Sequence, residues 1–265
     1  MVIPWKYVKG FILGSIILMI TAAGCTHNKT TDIHVSAAAS LTQVIDEMVK
    51  HYTKSHTDVK INLNYAGTNT LKMQVEEGAD VDLFLSANFK YYDELNQKGF
   101  IQEGEAFAKN KLCVIKHKDN QTIHTIEDLT QPDLKIIIGN KDVPIGKYTL
   151  EVLNKLDEKY GPDFSEKVLE NVVSQETNVK RIVTKINLNE GDAGFVYMTD
   201  MTDAVRANVE HFEIEDQYNV LSHYYAGIIK KDTIKDETER FYQFILSKEG
   251  QDILKQYGFI MDEKE

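Results

Sequence analysis

Apolar residues along this chain alternate between two rhythms. Short β-branched or alternating runs at 33–35, 59–67, 81–87, 111–117, 134–140, 192–197, 208–214 and 220–230 predict strands. Between them, apolar positions recur three and four apart. That spacing predicts a helix from Ser40, with Leu41, Val44, Ile45, Met48 and Val49 on one face, and helices over 68–78, 88–99, 145–161, 165–172 and 178–191. Tyr148, Val152, Leu153 and Leu156 form one such stripe, and Val179, Ile182, Val183 and Ile186 another. Two further helices close the chain, and Gly78, Gly99, Gly191 and Gly258 are the expected stops. Strand and helix thus alternate for most of the length, which predicts an α/β fold with mostly parallel sheets. The run at 220–230 is long enough to pass from one domain into another. No solenoid repeat or low-complexity linker interrupts the pattern, so two domains would share more than one crossing strand.

The first 25 residues stand apart. Lys6 and Lys9 precede the apolar run "FILGSIILMI", which ends in "TAAGC". This is the form of a secretory signal, too short for a comfortable membrane span, and the small residues before Cys25 resemble a bacterial lipoprotein cleavage box. The expected product begins at a lipidated Cys25; an uncleaved N-terminal anchor is the alternative. Either form is exported and held at a membrane. Removing residues 1–24 takes away two lysines and no acid, which moves the formal charge from −11 to −13. So acidic a chain argues against nucleic acid as a partner. Cys113, in "KLCVIK", is then expected as a buried thiol with no disulfide partner. About 240 residues remain, enough for one large or two medium domains.

Four strand-to-helix turns carry small or polar residues. Ser40 follows "SAAA" at the expected helix N-cap, Gly67-Thr68-Asn69-Thr70 opens a second helix, "VPIGKYT" (143–149) a third, and "SQETNVKRI" (174–182) a fourth. Converging on one cleft, they would offer unpaired N–H groups and about half an elementary charge per helix. An anion could be held there with no Lys or Arg in contact. A hydroxyl at a helix start is more often only a cap, and every α/β protein has such turns. Catalytic patterns are weaker. His51 and His56 fall on different helix faces, "DVD" at 80–82 reads as the mouth of a strand, and no GxSxG, HExxH, Walker or GxGxxG pattern occurs. Tyr197, at the end of "GFVY", is either a core tyrosine or a phenol that donates to a ligand at a strand's carboxyl end. Composition and spacing alone lead to a ligand-binding α/β protein.

"AAASLT", "YAGTNTLKMQVEEGADVDLFLSA", "VPIGKYT", "GFVYMTD" and "FILSKEGQDILKQYGF" together resemble the bacterial molybdate-binding proteins of ABC importers and their tungstate-binding relatives, from Ile33 to Phe259. The resemblance implies a two-lobed type II periplasmic-binding-protein fold, with each lobe a mostly parallel sheet flanked by helices and two hinge strands between them. The corresponding division is 33–112 plus 225–265 for one lobe and 113–224 for the other. It further implies no enzymatic activity, no cofactor, a monomer, and as partners a molybdate or tungstate ion and an importer permease with its ATPase. Carried over by position, the oxyanion ligands are the Ser40 hydroxyl and amide, the Thr68 hydroxyl, the backbone N–H groups of Ile145 and Val179, and the Tyr197 hydroxyl. The departure is at 67–70, where relatives commonly have a Ser-rich or Gly-Ser run and this chain has Gly-Thr-Asn-Thr. Thr68 keeps a hydroxyl but adds a methyl group, which leaves Asn69 as a second candidate. A receptor for another tetrahedral oxyanion, such as sulfate or a phosphonate, is the alternative within the class; an enzyme acting on a small anion is the alternative outside it.

Overall fold

A computed structural model of the protein describes residues 30–261. The expected signal segment and the lipidation site at Cys25 lie outside those residues. In chain order the first lobe runs β1 (Thr31–Ala38), α1 (Thr42–Tyr52), β2 (Val59–Ala66), α2 (Thr68–Glu76), β3 (Leu83–Ser86), α3 (Phe89–Gln97) and β4 (Ile101–Asn110). The second lobe follows as β5 (Leu112–His117), β6 (Ile136–Gly139), α4 (Pro144–Tyr160), α5 (Phe164–Glu170), β7 (Val172–Glu176), α6 (Val179–Asn187), β8 (Ala193–Tyr197), α7 (Asp203–Arg206) and β9 (Val209–Glu213). The chain then returns to the first lobe through β10 (Ser222–Ile229), α8 (Asp236–Leu246) and α9 (Lys248–Gln256).

Each lobe is built on a five-stranded sheet, in the orders β2-β1-β3-β10-β4 and β7-β6-β8-β5-β9. In both, three neighbouring strands are parallel and the fourth position holds a strand antiparallel to those beside it. The apolar stripes read from the sequence become the packing faces. Val44, Ile45 and Met48 of α1 are buried with Ile33 and Val35 of β1, while Val152, Leu153 and Leu156 of α4 and Ile182 and Ile186 of α6 join Phe195 and Val196 in the second core. On the other face of the first sheet, Leu71, Val75, Phe84 and Leu95 form a third cluster under α2 and α3.

Two local expectations are corrected. The left-handed turn after α6 is taken by Asn189 (φ 57°), not by Gly191. Gly191 instead sits where a Cβ would lie 2.5 Å from Ile137 Cδ1, so it serves packing and not the helix stop. The crossings between lobes also differ from the long strand expected over 220–230. One is the nearly unbroken extended run of β4 and β5, interrupted only at Lys111; the other is the segment 214–221, which contains a turn. β10 lies wholly in the first sheet, paired with β3 and β4. In sheet terms the changeovers therefore fall at Lys111 and across 214–221, and the divisions at 112/113 and 224/225 drawn from the sequence are corrected, since they cut through β5 and β10.

Candidate functional site

The chain's strand order decides where a site can form. In an open α/β sheet the crevice lies beyond the carboxyl ends of the strands where the order reverses. The first sheet reverses at β1 and the second at β6, and the ends of β1, β2 and β3 face those of β6, β7 and β8 across one small cavity. Ala38, Ala39 and Ser40 line it after β1, Ala66, Gly67 and Thr68 after β2, and Ala87 after β3. From the second lobe come Val143, Pro144 and Ile145 after β6, Asn178 and Val179 after β7, and Tyr197 at the end of β8. The free volume is about 20 Å³, little more than the space one water needs, so the cavity is a small one.

Small residues at the turns let the backbone approach the cavity. At the start of α4 the approach is closest: a Cβ on Gly146 would fall 2.0 Å from the Asn140 carbonyl, so only glycine lets this helix begin directly behind the end of β6. Pro144 occupies the first helical turn, where its missing N–H is no loss. The N–H groups of Ile145 and Val179 make no hydrogen bond among the described residues, as expected of first-turn amides. Asn178 caps α6, its side-chain oxygen accepting from the Arg181 N–H at 3.3 Å. Ser40 corrects the sequence reading. It lies inside a 3₁₀ turn (Ala39–Leu41) ahead of α1 and makes no side-chain cap.

The hydroxyls are wired so that donors are left over. Ser40 Oγ accepts a hydrogen bond from the Tyr224 hydroxyl at 2.9 Å, and Thr68 Oγ1 accepts from the Ala87 N–H at 3.2 Å. Neither uses its own proton in a bond to the described residues. Tyr197 Oη is buried and has no hydrogen-bond partner among the described residues. Its neighbour Ser222 spends its proton on the Ala87 carbonyl at 3.0 Å. Burial holds the Tyr197 phenol well above its ordinary pKa, with Tyr224 and Tyr148 nearby adding to the rise and the adjacent Ser222 hydroxyl opposing it, so it remains a donor at neutral pH. Tyr148, whose oxygen accepts from Asn88 Nδ2 at 3.0 Å, is pushed up to about 12 chiefly by burial.

Among the described residues, no Lys, Arg or His lines the cavity. Lys147 is exposed and pairs with Glu151 at 3.6 Å; Arg181 is exposed. The buried carboxylate bonded to the Tyr197 N–H, Asp200, is itself neutralised by Lys180 at 2.9 Å. The starts of α2, α4 and α6 and the 3₁₀ turn at Ser40 all border the cavity, where first-turn N–H groups and hydroxyls are the available donors.

Ser40, Thr68, Ile145, Val179 and Tyr197, named from the sequence, thus line one cavity. Asn69 does not: its Oδ1 is buried without a partner, against Gly67, and Thr68 holds the cavity position. Asn178 and Tyr224 were missed. Asn178 was legible as an N-cap ahead of an apolar stripe, whereas nothing in "SHYYAG" distinguishes Tyr224 as the partner of Ser40. The acidic pair at 80–82 is structural. Asp80 and Asp82 both bond Lys231, and Asp82 also binds Lys235 and the His34 N–H, ahead of the amino end of β3 and away from the cavity. Among the described residues, no three His, Cys, Asp or Glu side chains are grouped to hold a metal ion.

Two α/β lobes closing a donor-lined cavity for a small guest define a solute-binding protein of the two-lobed periplasmic type. The chain belongs to the family described as bacterial extracellular solute-binding protein, whose model matches residues 33–260. It is a non-enzymatic component of transport. Among curated proteins it is similar to YvgL of Bacillus subtilis, provisionally named as an ABC transporter substrate-binding lipoprotein, at 27% identity over 93% of this chain and 96% of that one. It is also 26% identical to the molybdate-binding protein ModA of Escherichia coli, over 86% of this chain and 88% of the relative. The solved periplasmic molybdate-binding protein of Azotobacter vinelandii superposes with a TM-score of 0.75 over 87% of this chain and all of that one, at 19% identity, which shows the shared fold.

Proposed function

We propose that the protein binds molybdate, and tungstate with it, in the cavity between the lobes and delivers the ion to an ABC permease. The observation that carries this reading is the buried, unpartnered Tyr197 hydroxyl facing a space that also receives the spare protons of Ser40 and Thr68 and the free amides of Ile145 and Val179. A dianion accepts from all of them, and no cation is needed. The names of the ModA relatives support the choice of ion. Size rejects sulfate, because a smaller tetrahedron leaves some donors unmet, and each buried donor left unmet costs about 1–3 kcal/mol. Phosphate that carries a proton is rejected because donors alone offer that proton no acceptor. No resident cofactor takes part; the ion is the cargo.

We propose also that lipid attachment at Cys25 holds a monomer at the outer face of the membrane, in keeping with the lipoprotein name of the Bacillus subtilis relative. The decisive measurement is a thermal-shift and calorimetric comparison of molybdate, tungstate, sulfate and phosphate. One equivalent of molybdate or tungstate bound and recovered unaltered is the expected result. A preference for sulfate or phosphate would overturn the assignment.

A further inference from the structure

Gly67 has φ −62° and ψ 140°, an ordinary extended conformation open to any residue. Its own lobe's backbone therefore does not require glycine there. Space does. A Cβ at this position would lie 2.6 Å from the carbonyl oxygen of Thr177 and 3.3 Å from Val143 Cγ1, both in the second lobe, and 2.8 Å from Asn69 Oδ1 in the first. Asn69 is a side chain that can turn away. Thr177 is not free to yield. Its carbonyl is backbone, set between β7, whose last residue Glu176 accepts from the Asn140 N–H at 2.8 Å, and the Asn178 cap of α6.

We propose that Gly67 is the contact that limits closure: the lobes meet at this bare backbone, and any side chain there acts as a wedge between them. The residues on either side of the contact make the consequence specific. Gly67 leads directly into Thr68 on α2, and Thr177 is followed by Asn178 and Val179 on α6, so a wedge separates donors that must reach one ion. The interlobe bonds from Asn88 Nδ2 to Tyr148 Oη and from Tyr91 Oη to the Asp142 carbonyl are weakened with them. The inference rests on the proposed binding function only for its effect on affinity; the closure contact itself does not depend on which solute is bound.

The test is Gly67→Ala, read in two ways. In a Cys25→Ser chain, cysteines replacing Tyr91 and Asp142 report closure without any ligand, through their rate of bridging by a thiol cross-linker about as long as the tyrosine side chain; Cys113 is buried and silent. Adding Gly67→Ala is expected to slow bridging and, in the unlabelled protein, to weaken molybdate binding about tenfold to hundredfold, with the melting temperature of the free protein unchanged. Asn69→Ala added to Gly67→Ala is expected not to restore either. Unchanged bridging overturns the proposal. So does full recovery on removing the Asn69 side chain, which would make the crowding internal to the first lobe, and so does failure of the alanine variant to fold. Should the parent bind no molybdate while the variant still bridges slowly, the function falls and the closure contact stands.

Discussion

Replacing Tyr197 with phenylalanine separates a binding hydroxyl from a structural one, because the two roles give opposite signs. Tyr197 Oη is buried without a partner among the described residues, and the free volume of about 20 Å³ beside it is little more than the space one water needs. A buried hydroxyl left unmet costs about 1–3 kcal/mol, and a water in the cavity recovers part of that, so phenylalanine should stabilise the free protein by about 1 kcal/mol. For a chain of this size that raises the melting temperature by about 2–4 °C. With the ion bound the balance reverses, since a hydrogen bond to a charged group contributes about 1.5–3 kcal/mol. The loss and the relief add, so affinity falls by about 2.5–4 kcal/mol, roughly two to three orders of magnitude. Scanning calorimetry on the free protein and titration calorimetry with molybdate measure the two sides. A variant that melts lower than the parent and binds equally well would refute the assignment, because Tyr197 would then be an ordinary core residue.

Ser40→Ala removes one donor to the ion and the acceptor of the Tyr224 hydroxyl; molybdate titration should show a loss of about 1–3 kcal/mol. Lys147→Ala and Arg181→Ala should each leave the molybdate affinity within about 0.5 kcal/mol of the parent, since neither lines the cavity; a tenfold loss in either would mean that a cation holds the ion after all. Asp82 contributes to acid stability. Burial raises its pKa, but hydrogen bonds from Lys231, Lys235 and the His34 N–H outweigh burial and hold it below the ordinary carboxylate value. A lowered folded-state pKa gives stability that is present above the unfolded value near pH 4 and is lost as pH falls through the lowered one. Urea melts should therefore show stability falling below about pH 4, and Asp82→Asn should cost about 3 kcal/mol at pH 7 while flattening that fall.

The site was legible where chemistry and periodicity coincide. Val179 and Ile182 mark α6 by their spacing, and Gly67-Thr68 and Val143-Pro144 mark turns by residue type, so the turns around the cavity were legible locally, while the choice of individual residues came from the family resemblance. What failed depended on tertiary pairing. "IQEGEAFAKN" became β4 although its exposed positions carry charge, because β10 lies along it in the first sheet. Ser40 looked like a cap, yet the chain makes a 3₁₀ turn there, and the Ser40 hydroxyl is bonded by Tyr224, 184 residues away. The placement of Thr68 at the cavity is accompanied by its contact with the Ala87 N–H, which local sequence does not contain.

The position of β10 has a consequence for the order in which the molecule can assemble. Ser222 bonds the Ala87 carbonyl 135 residues back along the chain, and β10 fills the gap between β3 and β4. Strands β5 to β9 are contiguous, so the second half can complete its sheet as soon as it has emerged, while the first half waits with an open seam until residue 229 arrives. The part made first is thus finished last, and a chain interrupted before β10 would expose the flanks of β3 and β4 to the wrong partners.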